Sequence, residues 1–458
     1  MLEQPGVVDR LRAAPGKLAE AAQLFCTGRV TSVSGLAAQV DGLTGHLAIG
    51  DRVDLAARDG APIRAEIVAF GAGRARALAF GDLAGLGAGA PARIPYGKGS
   101  GAATSSLRVN ENWLGRVIDP LGAPIDGLGS LGDGVPRPVR AEPPNAARRA
   151  RLGDRLSLGV RALDLFTTCR TGQRLGLFAG SGVGKSTLLA MLARQAQCDV
   201  IVLALVGERG RELREFLEDD LGEEGLARSV VVVATSDQPP LMRREAAYAA
   251  MTVAEHFRDQ GKSVLLLMDS VTRFCLALRE IGLAAGEPPA TRGYPPSVFA
   301  ELPRLLERAG PGHDGSNGGH ITAIFTVLVE GDDHNEPVAD AVRGILDGHV
   351  VLDRRIGEGG RYPAIDVLRS LSRTVPGCLL SDERQAARRA RELLALQAEL
   401  SDLVRLGAYQ PGADPAADTA LRLAPLIEKL LTQARDESSD LDGSFARLIE
   451  TIGDDHGA

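Results

Sequence analysis

The sequence predicts an α/β protein in which a parallel-sheet core lies between a small N-terminal β-domain and a C-terminal helical domain. Three patterns along the 458 residues support this prediction. Residues 25–97 contain short alternating segments, the chain from about residue 151 alternates apolar runs with helical patterns, and residues 382–458 have helical periodicity. A chain of this length is expected to contain several domains and at least one large core.

The first 150 residues contain three kinds of segment. Residues 1–24 have an apolar stripe interrupted at Pro15-Gly16, which predicts either a partner-binding helix or a frayed terminus. Residues 25–97 contain GRVTSVSGLAAQVDGL, GDRVDLAAR and IRAEIVAFGAGRARALAF, whose alternation and glycine spacing predict a small antiparallel barrel or sandwich. Residues 98–150 are rich in Gly and Pro, with RVIDPLGAPIDGLG as a run of turns, and we expect a structured connection.

Six apolar runs predict the strands of the central sheet. Helical patterns separate them, and the runs are RLGLFAG, DVIVLALVG, SVVVVATS, SVLLLMDS, ITAIFTVLVEG and HVVLDRR. Near-continuous apolar strands between helices are typical of a parallel sheet that is covered on both faces. After residue 381, DERQAARRARELLALQAELSDLVRLGAY and DTALRLAPLIEKLLTQA predict helices, with QPGADPAAD between them.

Composition restricts the class of protein and its compartment. The chain has 44% hydrophobic residues, 24% charged residues and a net charge of -7, which are ordinary values for a globular protein. Five scattered cysteines without CxxC spacing predict free thiols in a reducing compartment. The N-terminus lacks the apolar core of a signal peptide, and no stretch approaches the ~18 uncharged apolar residues that span a bilayer. We therefore expect a cytoplasmic protein, and the acidic total charge argues against a nucleic-acid partner.

The strongest local motif is AGSGVGKST, residues 179–187, which follows an apolar strand and precedes the helical pattern TLLAMLARQA. Glycines at alternate positions allow backbone N–H groups to face phosphate oxygens, and the N-terminus of the following helix favours an anion. Lys185 is placed to reach β- and γ-phosphates, and the Ser186 hydroxyl is placed to bind Mg²⁺. Ala179 replaces the usual first glycine. The candidate nucleotide-binding residues here are Gly180, Ser181, Gly182, Val183, Gly184, Lys185, Ser186 and Thr187.

Carboxylates follow two other predicted strands. Asp269 ends the run SVLLLMD, where a carboxylate is costly unless it meets a cation or donors, and Mg²⁺ is a natural partner. Glu208, in VGERGREL, ends the run VIVLAL at the same edge of the sheet as the glycine-rich loop. It is the candidate for orienting or deprotonating water, with Arg209 and Glu212 close by. A surface turn is the alternative interpretation of this segment.

Together these motifs resemble the rotary-type ATPases, and most closely the flagellar type III protein-export ATPases and their injectisome relatives. The resemblance extends from about residue 25 to about residue 450. The segments that carry it are GSGVGKST, VGERGRE, LLLMDSVTRF, GEPPATRGYPPSVF, VLVEGDDHNEPVADAVRGILDGHVVLDR and RYPAIDVLRSLSR. Residues 286–299 and 329–353 are more specific than the phosphate loop, which alone predicts only an NTPase.

The resemblance implies a domain organisation and roles for single residues. It implies a β-barrel domain at 25–97, a RecA-like phosphate-loop core at 98–381 that includes its N-terminal connection, and a helical domain at 382–458. Arg373 matches the arginine finger that family members insert into an adjacent subunit's site, and a structural ion pair is the alternative. The implied catalytic residues are Lys185, Glu208, Arg209, Arg273 and Arg373, the implied magnesium residues are Ser186, Glu212 and Asp269, and Tyr362 matches the aromatic residue that packs on adenine.

The same resemblance implies an activity and partners. The chain is expected to hydrolyse ATP with Mg²⁺, in a homo-hexamer that energises flagellar protein export and the release of cargo from chaperones. The implied partners are a coiled-coil central stalk protein, the export gate, cargo–chaperone complexes, and a regulatory stator-like protein at residues 1–24. The implied location is the cytoplasmic face of the inner membrane, with peripheral attachment.

Four other functions are compatible with parts of the sequence. An injectisome ATPase is the nearest alternative, and a catalytic subunit of a rotary ATP synthase is a more distant one. A hexameric RNA translocase is disfavoured because residues 25–97 have few aromatic residues and modest basicity. A non-catalytic ring subunit is disfavoured because Glu208 is present.

Overall fold

The computed structural model describes residues 24–96, 105–314, 318–329 and 336–453. It contains two compact units: the described residues up to Ser105 with 239–241 and 279–289, and the remaining described residues. The helices after residue 381 belong to the same unit as the central sheet. The boundaries predicted at 97/98 and 381/382 stay predictions, and the predicted partner-binding segment 1–24 lies outside the described residues except for Leu24.

Strands and helices are numbered along the described part of the chain. The strands are β1 Leu24–Ser34, β2 Ala37–Asp41, β3 Arg52–Ala56, β4 Pro62–Gly71, β5 Arg74–Ala79, β6 Pro91–Tyr96, β7 Ser106–Val109, β8 Arg116–Ile118, β9 Val135–Pro138, β10 Arg155–Leu156, β11 Cys169–Arg170, β12 Arg174–Ala179, β13 Val200–Glu208, β14 Ser229–Thr235, β15 Ser263–Asp269, β16 Gly310–Pro311, β17 His320–Leu328, β18 Gly348–Leu352 and β19 Leu371–Ser372. The helices are α1 Arg161–Phe166, α2 Lys185–Gln195, α3 Gly210–Glu215, α4 Gly222–Ala227, α5 Pro240–Asp259, α6 Val271–Ala285, α7 Pro296–Leu306, α8 Pro337–Ile345, α9 Arg354–Glu358, α10 Val375–Cys378, α11 Ser381–Arg405, α12 Pro415–Leu431 and α13 Leu441–Gly453.

The first unit contains a closed antiparallel barrel. Its strands follow the order β1-β2-β5-β4-β3-β6, and β6 pairs with β1 to close the sheet. Side chains alternate between interior and surface, as in β3, where Val53 and Leu55 are buried. Closure leaves no free strand edge in this sheet. Of the two architectures predicted for this segment, the barrel is therefore the one observed.

The second unit is built on a sheet of nine strands within the described residues, in the order β19-β18-β12-β17-β15-β13-β14-β8, with β16 paired to β17. The six predicted runs form β12, β13, β14, β15, β17 and β18, and all their mutual pairings are parallel. Apolar clusters cover both faces of the sheet. In β15, for example, Leu265 and Leu267 belong to one cluster, whereas Leu266 and Met268 belong to the other. This two-sided burial explains why the runs are apolar at nearly every position.

One element departs from the sequence prediction, and one further helix lies within the region that was predicted to be helical. The first residues of the predicted run of turns, Arg116–Ile118, form β8, which pairs in parallel with β14. Val117 and Ile118 are buried there, and the Asp126 carboxylate accepts two hydrogen bonds from the Arg116 guanidinium at 2.7 and 2.9 Å. The C-terminal region also contains a third helix, α13, which packs its apolar residues into the core. Within the described residues, no helix is both long and apolar enough to cross a membrane.

Candidate active site

The phosphate loop connects β12 to α2 in the second unit. Gly182 and Gly184 have φ angles of 76° and 88°, in the left-handed region that favours glycine. Gly184 is also the residue that precedes α2, and it has no side chain to occupy the N–H groups of the first helical turn. The backbone therefore leaves donors available for an anion at the position where the sequence predicts phosphate binding.

Lys185 brings together the two carboxylates that were predicted from separate strands. Its Nζ donates a hydrogen bond to Oδ1 of Asp269 and lies 3.6 Å from Oε1 of Glu208. Thr326 Oγ1 also donates to Asp269 Oδ1, at 2.7 Å. Because β12, β13 and β15 are parallel, their carboxyl ends lie at one edge of the sheet, and this places the three charged groups together.

The environment of Glu208 perturbs its ionisation. Burial and the neighbouring Asp269 charge raise the pKa of Glu208, and the Lys185 and Arg273 cations oppose this rise. Oε1 of Glu208 is buried and accepts no hydrogen bond from the described residues. A buried acceptor without a donor is costly, so this oxygen is suited to a ligand or a water molecule.

A cavity beside these charges is lined by Ser186, Glu208, Glu212 and Asp269, among other residues. The predicted magnesium residues therefore border one space. Arg209 also borders it, but its Nη1 donates to Glu212 Oε1 at 2.9 Å, and its side chain is 68% exposed. The catalytic role that the resemblance implies for Arg209 stays a prediction.

Arg273 lies close to the end of β13 because residue 207 is a glycine. Gly207 has a φ angle of 70°, and a Cβ at this position would lie 3.2 Å from the Cβ of Arg273. The absence of a side chain at Gly207 lets the end of β13 come close to α6. Arg273 is thereby near enough for its charge to lower the pKa of Glu208.

Tyr362 lies against the phosphate loop of its own chain. Its ring atoms are 3.6 and 3.7 Å from the position that a Cβ at Gly184 would occupy. Its hydroxyl is 3.1 Å from the corresponding position at Gly357, and the residue is half exposed. The carbonyl oxygen of Tyr362 accepts a hydrogen bond from the N–H of Gln433 at 2.8 Å. The ring is therefore beside the loop and accessible, as stacking on adenine requires.

Arg373 lies at the opposite end of the sheet. It follows β19, and its N–H donates to the carbonyl oxygen of Asp347 at 3.0 Å, at the start of β18. Asp347 Oδ2 also accepts a hydrogen bond from the N–H of Arg174, which is the first residue of β12. The phosphate loop follows the last residue of β12. The length of β12 separates the two places by about 16 Å. The Arg373 side chain is exposed and forms no ion pair with the described residues, so the structure does not bring it to Lys185.

Two residues of the site were not predicted from the sequence. Thr326 holds Asp269, and its signal is a hydroxyl within the apolar run ITAIFTVL. Arg354 follows β18, and its Nη2 donates to the carbonyl oxygen of Ser181 in the phosphate loop at 2.8 Å. A polar residue after a buried strand is the feature that pointed to Asp269, and it applies equally to Arg354.

Comparison with known proteins connects this geometry to a family. Residues 159–372 match the nucleotide-binding domain of the ATP synthase alpha/beta family, and residues 381–450 match the C-terminal domain of the type III secretion ATPase EscN. The chain is 55% identical over 430 residues to the flagellum-specific ATP synthase of Caulobacter vibrioides, which covers 93% of this chain and 95% of that relative. The chain belongs to the flagellar and type III secretion ATPase family. It is therefore an ATPase with a nucleotide substrate.

Other members of the ATPase family show similar agreement. The type 3 secretion system ATPase of Xanthomonas euvesicatoria is 47% identical over 436 residues, covering 93% of this chain and 94% of that protein. The solved structure of the assembled ATPase EscN in complex with its central stalk EscO, from enteropathogenic E. coli, matches with a TM-score of 0.83 and 40% identity. This match covers 93% of this chain and 100% of the EscN chain.

The oxygen atoms that line the site are suited to hold Mg²⁺ together with the phosphates of a bound nucleotide. No group of three or more His, Cys, Asp or Glu side chains capable of holding a metal occurs in the described part of the chain. The available donors are the Ser186 hydroxyl and carboxylates, and the buried Oε1 of Glu208 lacks a hydrogen bond. Mg²⁺ is commonly held by one or two carboxylates together with substrate phosphates and water, and this donor set suits that mode.

Proposed function

We propose that this chain is the ATP-hydrolysing motor that energises flagellar type III protein export, including the release of cargo from chaperones. The observation that carries the proposal is the cluster of Lys185, Glu208 and Asp269 beside a phosphate loop, in a chain 55% identical to a flagellum-specific relative. An injectisome ATPase is the second candidate, favoured by the 47% identity to the Xanthomonas protein.

Hydrolysis requires the charges of the cluster to be redistributed when ATP binds. The loop N–H groups and the Lys185 ammonium bind phosphate oxygens, so Lys185 turns from the two carboxylates toward the substrate. Glu208 orients the attacking water and accepts its proton, a role suited by its raised pKa. Tyr362 stacks on the adenine base and keeps the nucleotide in register with the loop.

Metal binding belongs to the same proposal. Mg²⁺ would be held by Ser186 and Asp269, with Glu212 in its outer surroundings, and would supply neutralisation of phosphate charge. Thr326 keeps the Asp269 carboxylate oriented toward the site through its 2.7 Å hydrogen bond. The charges of Lys185 and Arg273 favour the ionised form of Glu208.

Assembly completes the proposed site. Arg373 lies too far from its own phosphate loop to contact a bound phosphate, so we place it in the site of an adjacent copy in a homo-hexamer. A cation supplied in trans stabilises charge in the transition state and makes hydrolysis depend on assembly. The EscN relative is described as assembled and in complex with a central stalk, which supports a stalk partner for this chain.

The remaining partners are proposed on the family resemblance alone. They are the export gate, cargo–chaperone complexes and a regulatory stator-like protein that binds residues 1–24. From the same resemblance we propose a location at the cytoplasmic face of the inner membrane, with peripheral attachment. The acidic total charge supports the proposal that the protein has no nucleic-acid partner.

Complementation of a strain that lacks this gene tests the function. We expect Lys185→Ala to abolish ATP hydrolysis and flagellar filament assembly, because it removes the phosphate-binding ammonium. Glu208→Gln should keep nucleotide binding but lower kcat by about 10²–10⁴-fold. The matched control Lys262→Ala, which removes an exposed lysine outside the site, should restore motility. Normal motility in the deletion strain, with loss of secreted effector proteins, would contradict the flagellar assignment and support the injectisome.

A further inference from the structure

Arg354 contacts the phosphate loop because two neighbouring strands end in register. β12 and β18 are parallel neighbours, and Ala179 is opposite Leu352 in their pairing. Ser181 and Arg354 each lie two residues beyond this pair. The Nη2 of Arg354 donates a hydrogen bond to the carbonyl oxygen of Ser181 at 2.8 Å. The contact is therefore a consequence of the sheet register and not only of a long surface side chain.

The carbonyl that Arg354 holds belongs to the same peptide group as the Gly182 N–H. In a trans peptide the C=O and N–H bonds are coplanar and point in opposite directions. A Ser181 oxygen directed at Arg354 therefore directs the Gly182 N–H to the other side of the loop. Gly182 has a φ angle of 76°, a conformation that glycine adopts readily, and a Cβ added there would meet no described atom within 4 Å, so no close packing at this position holds the peptide.

The short helix α9 holds Arg354 in a defined place. The Asp353 carboxylate accepts a hydrogen bond from the N–H of Arg355 at 2.8 Å, and the Asp353 N–H donates to the carbonyl oxygen of Ala364 at 2.9 Å. Gly357, in the same helix, lies against the hydroxyl of Tyr362. α9 thus contacts the phosphate loop through Arg354 and the base-stacking tyrosine through Gly357.

We propose that Arg354 is a positioning residue that fixes the peptide between Ser181 and Gly182, so that the Gly182 N–H faces the phosphates of a bound nucleotide. This inference rests on the proposed function, because the ligand is a nucleoside diphosphate or triphosphate. Arg354 acts through the loop backbone and contacts no substrate atom. Its removal should weaken binding of the phosphates, leave binding of the nucleoside unchanged, and leave the folded state intact because the side chain is exposed.

Equilibrium binding of ADP and of adenosine, measured by calorimetry without added Mg²⁺, tests the inference. Arg354→Met keeps the aliphatic stem but removes the donor, and we expect it to weaken ADP binding about tenfold, the worth of one hydrogen bond to a charged group. Adenosine binding should be unchanged. Arg354→Lys keeps a cationic donor and should recover most of the ADP affinity. The matched control Arg355→Met removes the next arginine of α9, which pairs with Asp353, and should bind ADP as the wild type does.

Four results would overturn the role of Arg354. They are an ADP affinity of Arg354→Met within twofold of wild type, an equal loss for adenosine, an equal loss in Arg355→Met, and a loss that disappears at high ionic strength. The last result would indicate a direct charge contact with the phosphates, since salt screens such a contact but not a fixed neutral amide.

Lys185→Ala separates this inference from the proposed function. If ADP binds to the wild type and Lys185→Ala weakens the binding while Arg354→Met does not, the phosphate loop stands and only the role of Arg354 fails. If ADP binding is absent or indifferent to Lys185→Ala, the proposed site fails and the role of Arg354 fails with it.

Discussion

At the scale of single residues, the site is an arrangement in which one cation is shared by two carboxylates. Lys185 lies between Glu208 and Asp269, and the charge of Asp269 opposes the ionisation of Glu208. Arg273 adds a second positive charge that favours the ionised form of Glu208. The fraction of Glu208 that is ionised and available as a base therefore depends on the cations around it. This dependence can be measured from the change in the rate of hydrolysis with pH.

Arg273→Gln should shift the acid limb of the pH profile of kcat/KM. A general base is active as the carboxylate, so the rate falls as pH drops through the pKa of Glu208. Loss of the arginine removes a charge that lowers this pKa, so the limb should move to higher pH. The matched control Arg304→Gln removes an exposed arginine paired with Glu301 and should leave the profile unchanged. An unshifted limb in Arg273→Gln would mean that Glu208 does not govern the profile.

A site residue can be predicted from the sequence when a short stretch of sequence sets its position. It cannot be predicted when its position depends on which strands are neighbours in the sheet. Lys185 was found from the glycine-rich motif, and Glu208 and Asp269 were found because each ends an apolar run; parallel strands bring such positions to one edge. Thr326 and Arg354 were not found because their contacts depend on which strands are neighbours, namely β15 with β17 and β12 with β18. That order is not encoded in any short stretch of sequence.

At the scale of elements, two-sided burial explains which strands the sequence predicts. The six parallel strands are apolar at nearly every position because clusters cover both faces. β8 has three residues, and it is a strand only because β14 offers an open edge beside it. Such short elements carry too little periodicity to be recognised without their neighbours.

The segment that carries Tyr362 is tied to the C-terminal helices. Arg361 Nε lies 2.5 Å from Oε2 of Glu428 in α12, and the Gln433 N–H donates to the carbonyl oxygen of Tyr362. The side chain of Gln433 donates to the carbonyl oxygen of Gly159 at 2.8 Å. These contacts fix the backbone beneath the tyrosine ring to helices distant in sequence.

Arg361→Met should destabilise this connection because it leaves the Glu428 carboxylate half-buried without its partner. The loss in free energy of unfolding should be about 1 kcal/mol, since Glu428 is 42% exposed and water screens its charge. Burial already raises the pKa of Glu428, and removal of Arg361 raises it further. A folded-state pKa above the unfolded value penalises folding as pH rises, so the loss should be larger at pH 8 than at pH 5.

Urea unfolding of a double-variant cycle measures this effect. Glu428→Gln, added to Arg361→Met, removes the unpaired charge and should restore part of the stability at pH 8. If the second substitution instead adds its full cost to the first at both pH values, the pair does not connect the two elements.

At the scale of the whole molecule, the proposed catalytic charges do not all lie together within one chain. The phosphate loop, Glu208 and Asp269 lie at the carboxyl edge of the sheet, whereas Arg373 lies about 16 Å away at the amino edge. No local spacing in the sequence indicates this division, and only the family resemblance pointed to a role in trans. In a closed ring, each subunit contacts one neighbour through one surface and the other neighbour through a different surface. The exposed arginine at one edge of the sheet and the accessible site at the other edge are suited to two such surfaces.

Mixing two inactive variants tests the central claim most directly. Glu208→Gln and Arg373→Ala are each purified and shown to hydrolyse little ATP. They are then mixed in equal amounts, and exchange of subunits in the mixture is verified before hydrolysis is measured. If Arg373 acts in trans, about a quarter of the interfaces in mixed rings join an intact Glu208 to an intact Arg373, and hydrolysis returns. A mixture of Glu208→Gln with the double variant Glu208→Gln/Arg373→Ala should stay inactive. Absence of recovery in the first mixture would place Arg373 in its own chain's site or in a structural role, and would contradict the account of a motor completed by assembly.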